Sequence, residues 1–338
     1  MNKKLFIIVG VAAVIIGISI FFSSDIYQST FQNESVKITM HKWPGYTHSY
    51  IAQEKGFFED EGVNVELVLI ENIDDSLQYF KDGNADGAFG LQSDAMHLFA
   101  KGTPLKIVYV ADFSNGGDVI VSKLDIKTIT DLKGKTVSVD KLNSFNHIFL
   151  VQLLKINGLE ESDVKIIPII ASEVPNALKF GLIDAGQTWE PYQSHAIADG
   201  YRLLATSADA PGIITDVLMF HSKFVEERPD DVKKVLRGLF RALEFRDTNQ
   251  NESYHIMSNA FEMSPASLKV TVEGNIFPNL KENKAAFSRS EQPTSLYNTG
   301  EIISNFFIEK RIFDEPISVD KILATEIINE ITMEGWGR

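Results

Sequence analysis

Apolar and polar positions alternate along Val36–His41, the period of a strand with one buried face, and the run breaks at the turn-forming Lys42-Trp43-Pro44-Gly45-Tyr46. A helix is predicted from about Thr47 to a stop at Gly56. Residues 62–70 form a second strand, with Val63, Val65, Leu67 and Leu69 on one face. Helix is then expected over 74–81, strand over 85–89, helix over 93–100 with Ser93 as its cap, and strand over 105–111. This β-α-β-α-β-α-β order predicts a largely parallel sheet with helices on both faces.

After a polar stretch from Asp112 to Asp118 comes a strand over 119–122, and the alternation starts afresh at 136–139 behind Asp131-Leu132-Lys133-Gly134-Lys135. Helices are predicted over 146–157 and 174–180 and from Pro191, with strands over 164–170, 183–188 and 201–205. Two α/β sheets in series account for the pattern. An internal echo agrees with this: Gly83-x-x-Asp86 and Gly181-x-x-Asp184 each close a helix and open a strand, which marks two similar β-α-β units. Residues 213–220 read as a strand leading back to the first lobe. Beyond Pro229 the chain turns helical, over 230–246 and 252–261, in a segment opened by Ser264-Pro265, and over 299–310 and 319–330. Its apolar stripes are too short to close a core alone, so this tail is expected to pack on the first lobe.

The 338 residues, 44% hydrophobic and 23% charged, suffice for two lobes with their own cores. A net charge of -14 and the lack of a basic patch exclude a nucleic-acid partner. With no Cys, the chain lacks disulfides, thiol catalysis, Cys-ligated metal and a lipid-modified Cys. The His residues follow no metal-binding spacing, so neither a metal nor a cofactor is expected. Behind Lys3 and Lys4, the charge-free run from Leu5 to Phe22 comes close to the ~20 residues that a bilayer-spanning helix needs. It exceeds the roughly 7 to 15 apolar residues of a cleaved leader, and Ser23-Ser24-Asp25 is a poor cleavage site. Residues 1–22 are therefore expected to stay as a membrane anchor, with 23–35 as a tether and the remainder outside the cytoplasm.

Four places set polar or aromatic residues just past a strand and at a helix start: 43–48, 92–94, 143–145 and 189–192. Convergent helix N-termini suit an oxyanion, and the glycines after Ser114-Asn115 could add a backbone nest. Each is equally an ordinary helix cap. Asp112, Asp118, Glu190 and Asp216, at strand ends and crossover points, pull the other way and favour a ligand with an amine or another donor. In the blander alternative Asp112 and Asp118 cap turns while Asp216 pairs with a Lys or Arg. Trp43, Tyr46, Phe145 and Trp189 could stack on a flat ring or enclose a cation, although core packing is the commoner use. His41, His48 and His147 read as framework. No nucleophile stands beside a base, no phosphate-cradling Gly loop occurs and no paired carboxylates suggest acid–base work, so an enzyme is not expected.

Trp43-Pro-Gly-Tyr46, the run from Ala52 to Val63, Ser114-Asn-Gly-Gly-Asp118, Asp131-Leu-Lys-Gly-Lys135, Asp184-Ala and Trp189-Glu-Pro-Tyr192 occur in an order that resembles the nitrate, sulfonate and taurine family of ABC-importer substrate-binding proteins. Pro211 to Val217 and Lys223 to Pro229 extend the match, and binders of thiamine and its pyrimidine precursor share much of it. The resemblance implies a type II periplasmic-binding fold, two α/β lobes joined by two crossover strands. Lobe 1 would hold 36–118 and 216–338 and lobe 2 would hold 119–215. It further implies a monomer that closes on a small solute and hands it to an ABC permease driven by a cytoplasmic ATPase. By position Trp43, Gln92 with Ser93, Asp112 with Ser114, Ser144 with Phe145, Glu190 and Asp216 would line the cleft, and from the residues alone Tyr46 and Trp189 join them. A pyrimidine synthase among the relatives uses Cys and His, which a chain without Cys cannot follow. A sensory ectodomain of the same fold is the alternative to import.

Overall fold

The computed structural model describes residues 34–331. The membrane anchor and most of the tether expected from sequence lie outside the described residues, among which no helix is long and apolar enough to cross a membrane. Among the described residues, eleven strands run in chain order: β1 Val36–His41, β2 Val65–Ile70, β3 Gly87–Leu91, β4 Leu105–Ser114, β5 Asp118–Ser122, β6 Thr136–Val139, β7 Lys165–Pro168, β8 Ala185–Trp189, β9 Arg202–Thr206, β10 Thr215–His221 and β11 Asn275–Ile276. They form two sheets, ordered β11-β4-β10-β3-β1-β2 and β7-β6-β8-β5-β9.

The sheets are mixed, not largely parallel. β1 lies parallel to β2 and β3, and β6 parallel to β7 and β8, as β-α-β crossovers require. β10, however, inserts antiparallel between β3 and β4, and β5 antiparallel between β8 and β9. Each inserted strand enters straight from the other sheet, so it runs against its new neighbours. Matching β4-β10-β3-β1-β2 with β9-β5-β8-β6-β7 superposes the two orders, each half lending one strand to the other. The crossings are short. Only residues 115–117 separate β4 from β5, because the ladder continues through Phe113, paired with Thr215, and the expected polar loop from 112 shrinks accordingly. Residues 207–214 make the return.

The repeated Gly-x-x-Asp joins the two halves in the same way. Gly83 and Gly181 take φ of 77° and 69°, the left-handed conformation that ends each helix. The Asp86 carboxylate then accepts the Lys37 N–H of β1 at 2.8 Å, and that of Asp184 accepts the Thr136 N–H of β6 at 2.9 Å. Lys123 pairs with the other oxygen of Asp184 at 2.8 Å. Both units thus fix their central strand by one carboxylate on a backbone amide.

The helical tail packs on the first sheet and its helices. In Pro229–Thr248, Gly238 lies so close to the Phe58 ring that a Cβ would stand 2.5 Å from it. The helix Leu280–Ala286, not foreseen from sequence, presents Asn283 to β4. Its amide accepts from the Val110 N–H at 2.8 Å and donates to the Val110 carbonyl at 3.1 Å, standing in for a strand neighbour. The expected helix over 319–330 is broken into a 3-10 turn, Val319–Lys321, and the helix Thr325–Glu330. Between them Ile322 and Ala324 turn their backbone to Ile107, at 2.6 and 2.9 Å, so the sheet edge takes the groups that a continuous helix would use. Asp184→Ala is expected to lower unfolding stability in urea by ~1–3 kcal/mol, the usual effect of a lost charge-assisted acceptor. An unchanged midpoint and slope would show that the joint contributes nothing.

Candidate functional site

The turn after β1 is built to hold carboxylates. Pro44 opens a 3-10 turn, Pro44–Tyr46, that aims Trp43 just before it and Tyr46 at its end toward the middle of the first sheet. Trp43 Nε1 donates to Asp112 Oδ2 at 3.3 Å, and the Tyr46 hydroxyl donates to Asp216 Oδ1. Between them Gly45 leaves room for the Asp112 carboxylate, since a Cβ there would stand 1.8 Å from Oδ2. Asp112 on β4 and Asp216 on β10 are register partners on adjacent strands, both buried. Neither behaves as the blander sequence alternatives have it: Asp112 sits within a strand, and Asp216 is bound by a tyrosine and, among the described residues, pairs with no Lys or Arg.

Asp118, the first residue of β5, adds a third buried carboxylate from the second sheet. The Ser114 hydroxyl donates to its Oδ2 at 2.8 Å and Gln187 Nε2 to its Oδ1 at 3.0 Å. Gln187 is oriented in turn by Asn146 Nδ2 at 2.9 Å, and Asn146 Oδ1 lies 2.9 Å from the Ser144 hydroxyl. Ser207, on the return crossing, bonds both Ser114 Oγ and the Gly116 N–H. Among the described residues no Lys, Arg or His forms an ion pair or hydrogen bond with Asp112, Asp118 or Asp216. The second oxygen of Asp112 is buried without a partner, and so is the hydroxyl of Ser93.

A groove of about 660 Å³ runs between the halves, with Ser93 and Asp94 on one wall and Asn143, Ser144, Phe145 and Asn146 on the other; Lys81, Lys101, Lys141 and Arg311 also line it, and Asp112, Asp118 and Asp216 do not. On its rim Lys141 of the second half reaches Asp74 of the first at 2.9 Å. Ser144 and Phe145 therefore face Ser93 across the groove. Ser93 does not cap its helix, which begins at Gln92, and Asp94 instead accepts the Leu91 N–H at 3.3 Å. Gln92 is turned away: its amide donates to the Leu296 carbonyl and accepts from Thr299, both at 2.6 Å. Trp189 is half-buried at the end of β8, opposite Asp118 in the ladder. Glu190 is held by Ser194 of the helix that follows it, Tyr192–Ala198, through the hydroxyl at 2.9 Å and the N–H at 3.3 Å. Sequence reasoning flagged Asp118 without placing Gln187 beside it, and it missed Asn146 and Ser207. A signal for Asn146 existed, since it stands in the first turn after the flagged 143–145.

Burial governs the titration of the cluster. It pushes Asp112 up to about 8, with the Trp43 hydrogen bond pulling back and Asp118 adding to the rise. Asp118 is raised to about 6, restrained by Ser114 and Gln187, and Asp94 to about 7. Asp216 is held well above the carboxylate range by burial and then by Asp112. Because folding raises these values, their contribution to stability is complete below about pH 4 and is lost as pH rises toward 8. Asp112→Asn is therefore expected to melt close to the parent at pH 4 and increasingly above it toward pH 8, by about 2–4 °C for each kcal/mol relieved. Scanning calorimetry of both proteins reads this, and a difference in Tm that does not change with pH would contradict it.

The profile of the NMT1/THI5-like family matches residues 43–253. A Brucella abortus protein named only for binding is 27% identical over 232 residues, 67% of this chain and 70% of its own. A more distant relative, 24% identical over 221 residues (61% of this chain, 64% of its own), is named a 4-amino-5-hydroxymethyl-2-methylpyrimidine phosphate synthase of Aspergillus parasiticus. The crystal structure of the periplasmic aliphatic sulphonate binding protein from Escherichia coli superposes with a TM-score of 0.71, covering 88% of this chain and 99% of its own at 18% identity. That likeness shows the fold: two sheets of the periplasmic-binding type.

Proposed function

The chain belongs to the NMT1/THI5-like family, and on that premise we propose that it is the extracytoplasmic solute-binding component of an ABC importer. It would take a small organic solute between its halves and hand it to a membrane permease. The observation that carries this is the position of the groove. It lies between the two halves, with Ser93 and Asp94 of the first and Asn143 to Asn146 of the second along its walls. A solute that touches Ser93 on one wall and Ser144 and Phe145 on the other binds the closed arrangement better than an open one, which is the differential affinity that closure requires.

The boundaries of the moving bodies would be 36–118 with 216–338, and 119–215. Trp43, Tyr46, Asp112, Ser114 and Asp216 would serve the solute from the first body and Ser144, Phe145 and Trp189 from the second. Glu190 would act from the rim, and Gln92 would support Ser93 from behind. Binding is favoured over catalysis because the hydrogen bonds of the site run into carboxylates and activate no nucleophile, and the synthase-type use of Cys is closed to a chain with none. Leu5 to Phe22 would tether a monomer to the outer face of the membrane.

Trp43 and Trp189 lie on opposite halves, so intrinsic fluorescence reads closure. Titration with alkanesulfonates, taurine, nitrate, thiamine and small amines is expected to give one saturable transition at micromolar concentration for at least one class, with a matching rise in Tm. If no class changes the fluorescence or the Tm, the protein is not a solute receptor of this kind.

A further inference from the structure

The helix Leu296–Glu309 begins on one half of the molecule and ends on the other. Its first turn is fastened to the first half through Gln92, whose amide donates to the Leu296 carbonyl and accepts from Thr299. Near its end Phe307 is buried, with its ring centroid 5.9 Å from that of His97 on the same first-half helix as Gln92. The last residues turn to the second half. Phe306 meets the His147 ring of the helix Phe145–Ile156 edge to face at 5.1 Å, and Glu309 lies 3.4 Å from Lys155 of that helix. Lys310 pairs with Glu161 in the 3-10 turn Glu161–Asp163. The helix stops at once, because Arg311 takes the left-handed φ of 58° and the Ile312 N–H returns to the Phe307 carbonyl at 2.8 Å. That fixed end aims Lys310.

Among the described residues three ion pairs join the halves: Lys141–Asp74, Lys155–Glu309 and Lys310–Glu161. They are not equal. The side chains of the first are 60% and 70% exposed and those of the second 41% and 55%, and such pairs hold little against water. Those of Lys310 and Glu161 are 23% and 31% exposed. Lys310 also passes over the Phe306 ring at 5.5 Å, and His147 Nε2 approaches the same Glu161 oxygen at 3.2 Å. The Asn143 N–H donates to the other nitrogen of that ring, which leaves the His147 proton on the side of Glu161. The Glu161 carboxyl is accordingly pulled down to about 2, first by the His147 hydrogen bond and, against the cost of burial, by Lys310. Of the three contacts this is the one whose Coulomb attraction is least screened.

Taking the two halves as moving bodies from the solute-binding reading, we propose that the end of this helix is a latch: Phe306 and Lys310, carried by the first half, grip His147 and Glu161 of the second and hold the cleft shut by the protein's own contacts. Opening then requires Lys310 and Glu161 to separate, and the apparent affinity for a solute includes the closed fraction that the latch maintains.

The chain has no Cys, so Glu54→Cys on the first half and Lys179→Cys on the second carry a single pair of spin labels. Both positions are exposed and outside the groove. Pulsed dipolar spectroscopy of the protein without solute is expected to give one dominant distance. Lys310→Gln and Glu161→Gln should each raise the population of a second distance about 5-fold, the scale of one ion pair. Lys310→Arg, which keeps the charge, should retain the parent distribution, and so should Lys155→Gln, which removes the more exposed pair from the same helix end. Circular dichroism confirms that the variants fold. A parent already spread over several distances, parent-like distributions in both Lys310→Gln and Glu161→Gln, or Lys155→Gln acting as strongly as Lys310→Gln overturns the latch. None of these results bears on whether a solute binds, which the fluorescence titration reads separately.

Discussion

Two carboxylates buried side by side, Asp112 on β4 and Asp216 on β10, set the terms for the rest of this structure. Each must be supported against desolvation, and the short segment after β1 does this. Trp43 and Tyr46 each give one carboxylate a donor, Pro44 fixes the turn that aims them, and Gly45 is the residue small enough to let Asp112 approach. A side chain at position 45 would evict the carboxylate. The support is partial, which is why burial still drives both groups far above their ordinary range. An arrangement that costs stability and is left incomplete marks a candidate site.

The pair occupies that position because of how the two halves exchange strands. β10 reaches the first sheet directly from the second and inserts beside β4, which has just left for β5. The ends of these strands are therefore at once the centre of a sheet and the edge of a crossing. Residues there belong to neither half alone: Ser114 on β4 bonds Asp118 on β5, and Ser207 on the return crossing bonds Ser114. The repeated joints at Asp86 and Asp184 lie at the other ends of the parallel strands, away from these crossings.

Most of this fold could be read from the sequence wherever one physical signal dominates. β1 and β6 fall where alternation places them, and the Gly-x-x-Asp echo marks equivalent joints because a left-handed helix end and a backbone-bonding carboxylate are both local needs. What could not be read depends on partners distant in sequence. Nothing local to 215–221 says that this strand runs antiparallel between β3 and β4. The helix over 319–330 is broken only because Ile107 competes for its backbone, and Asn283 is a strand surrogate only because Val110 lies opposite it. The same division holds at the site. Trp43, Tyr46, Asp112 and Asp216 could be named from their places at strand ends, yet Gln92 belongs to the contact with Leu296 and Thr299, and Asn146 enters through Gln187.

The central claim is that two carboxylates are buried side by side with, among the described residues, no cationic side chain paired to either, and carboxyl NMR of the aspartates tests it most directly. Burial holds both Asp112 and Asp216 above the ordinary carboxylate range. In a pH titration of protein labelled with 13C at the aspartate carboxyls, the signals missing from Asp112→Asn and Asp216→Asn identify the pair. Both signals are expected to titrate well above about pH 4. Titration of both at about pH 4 would contradict it.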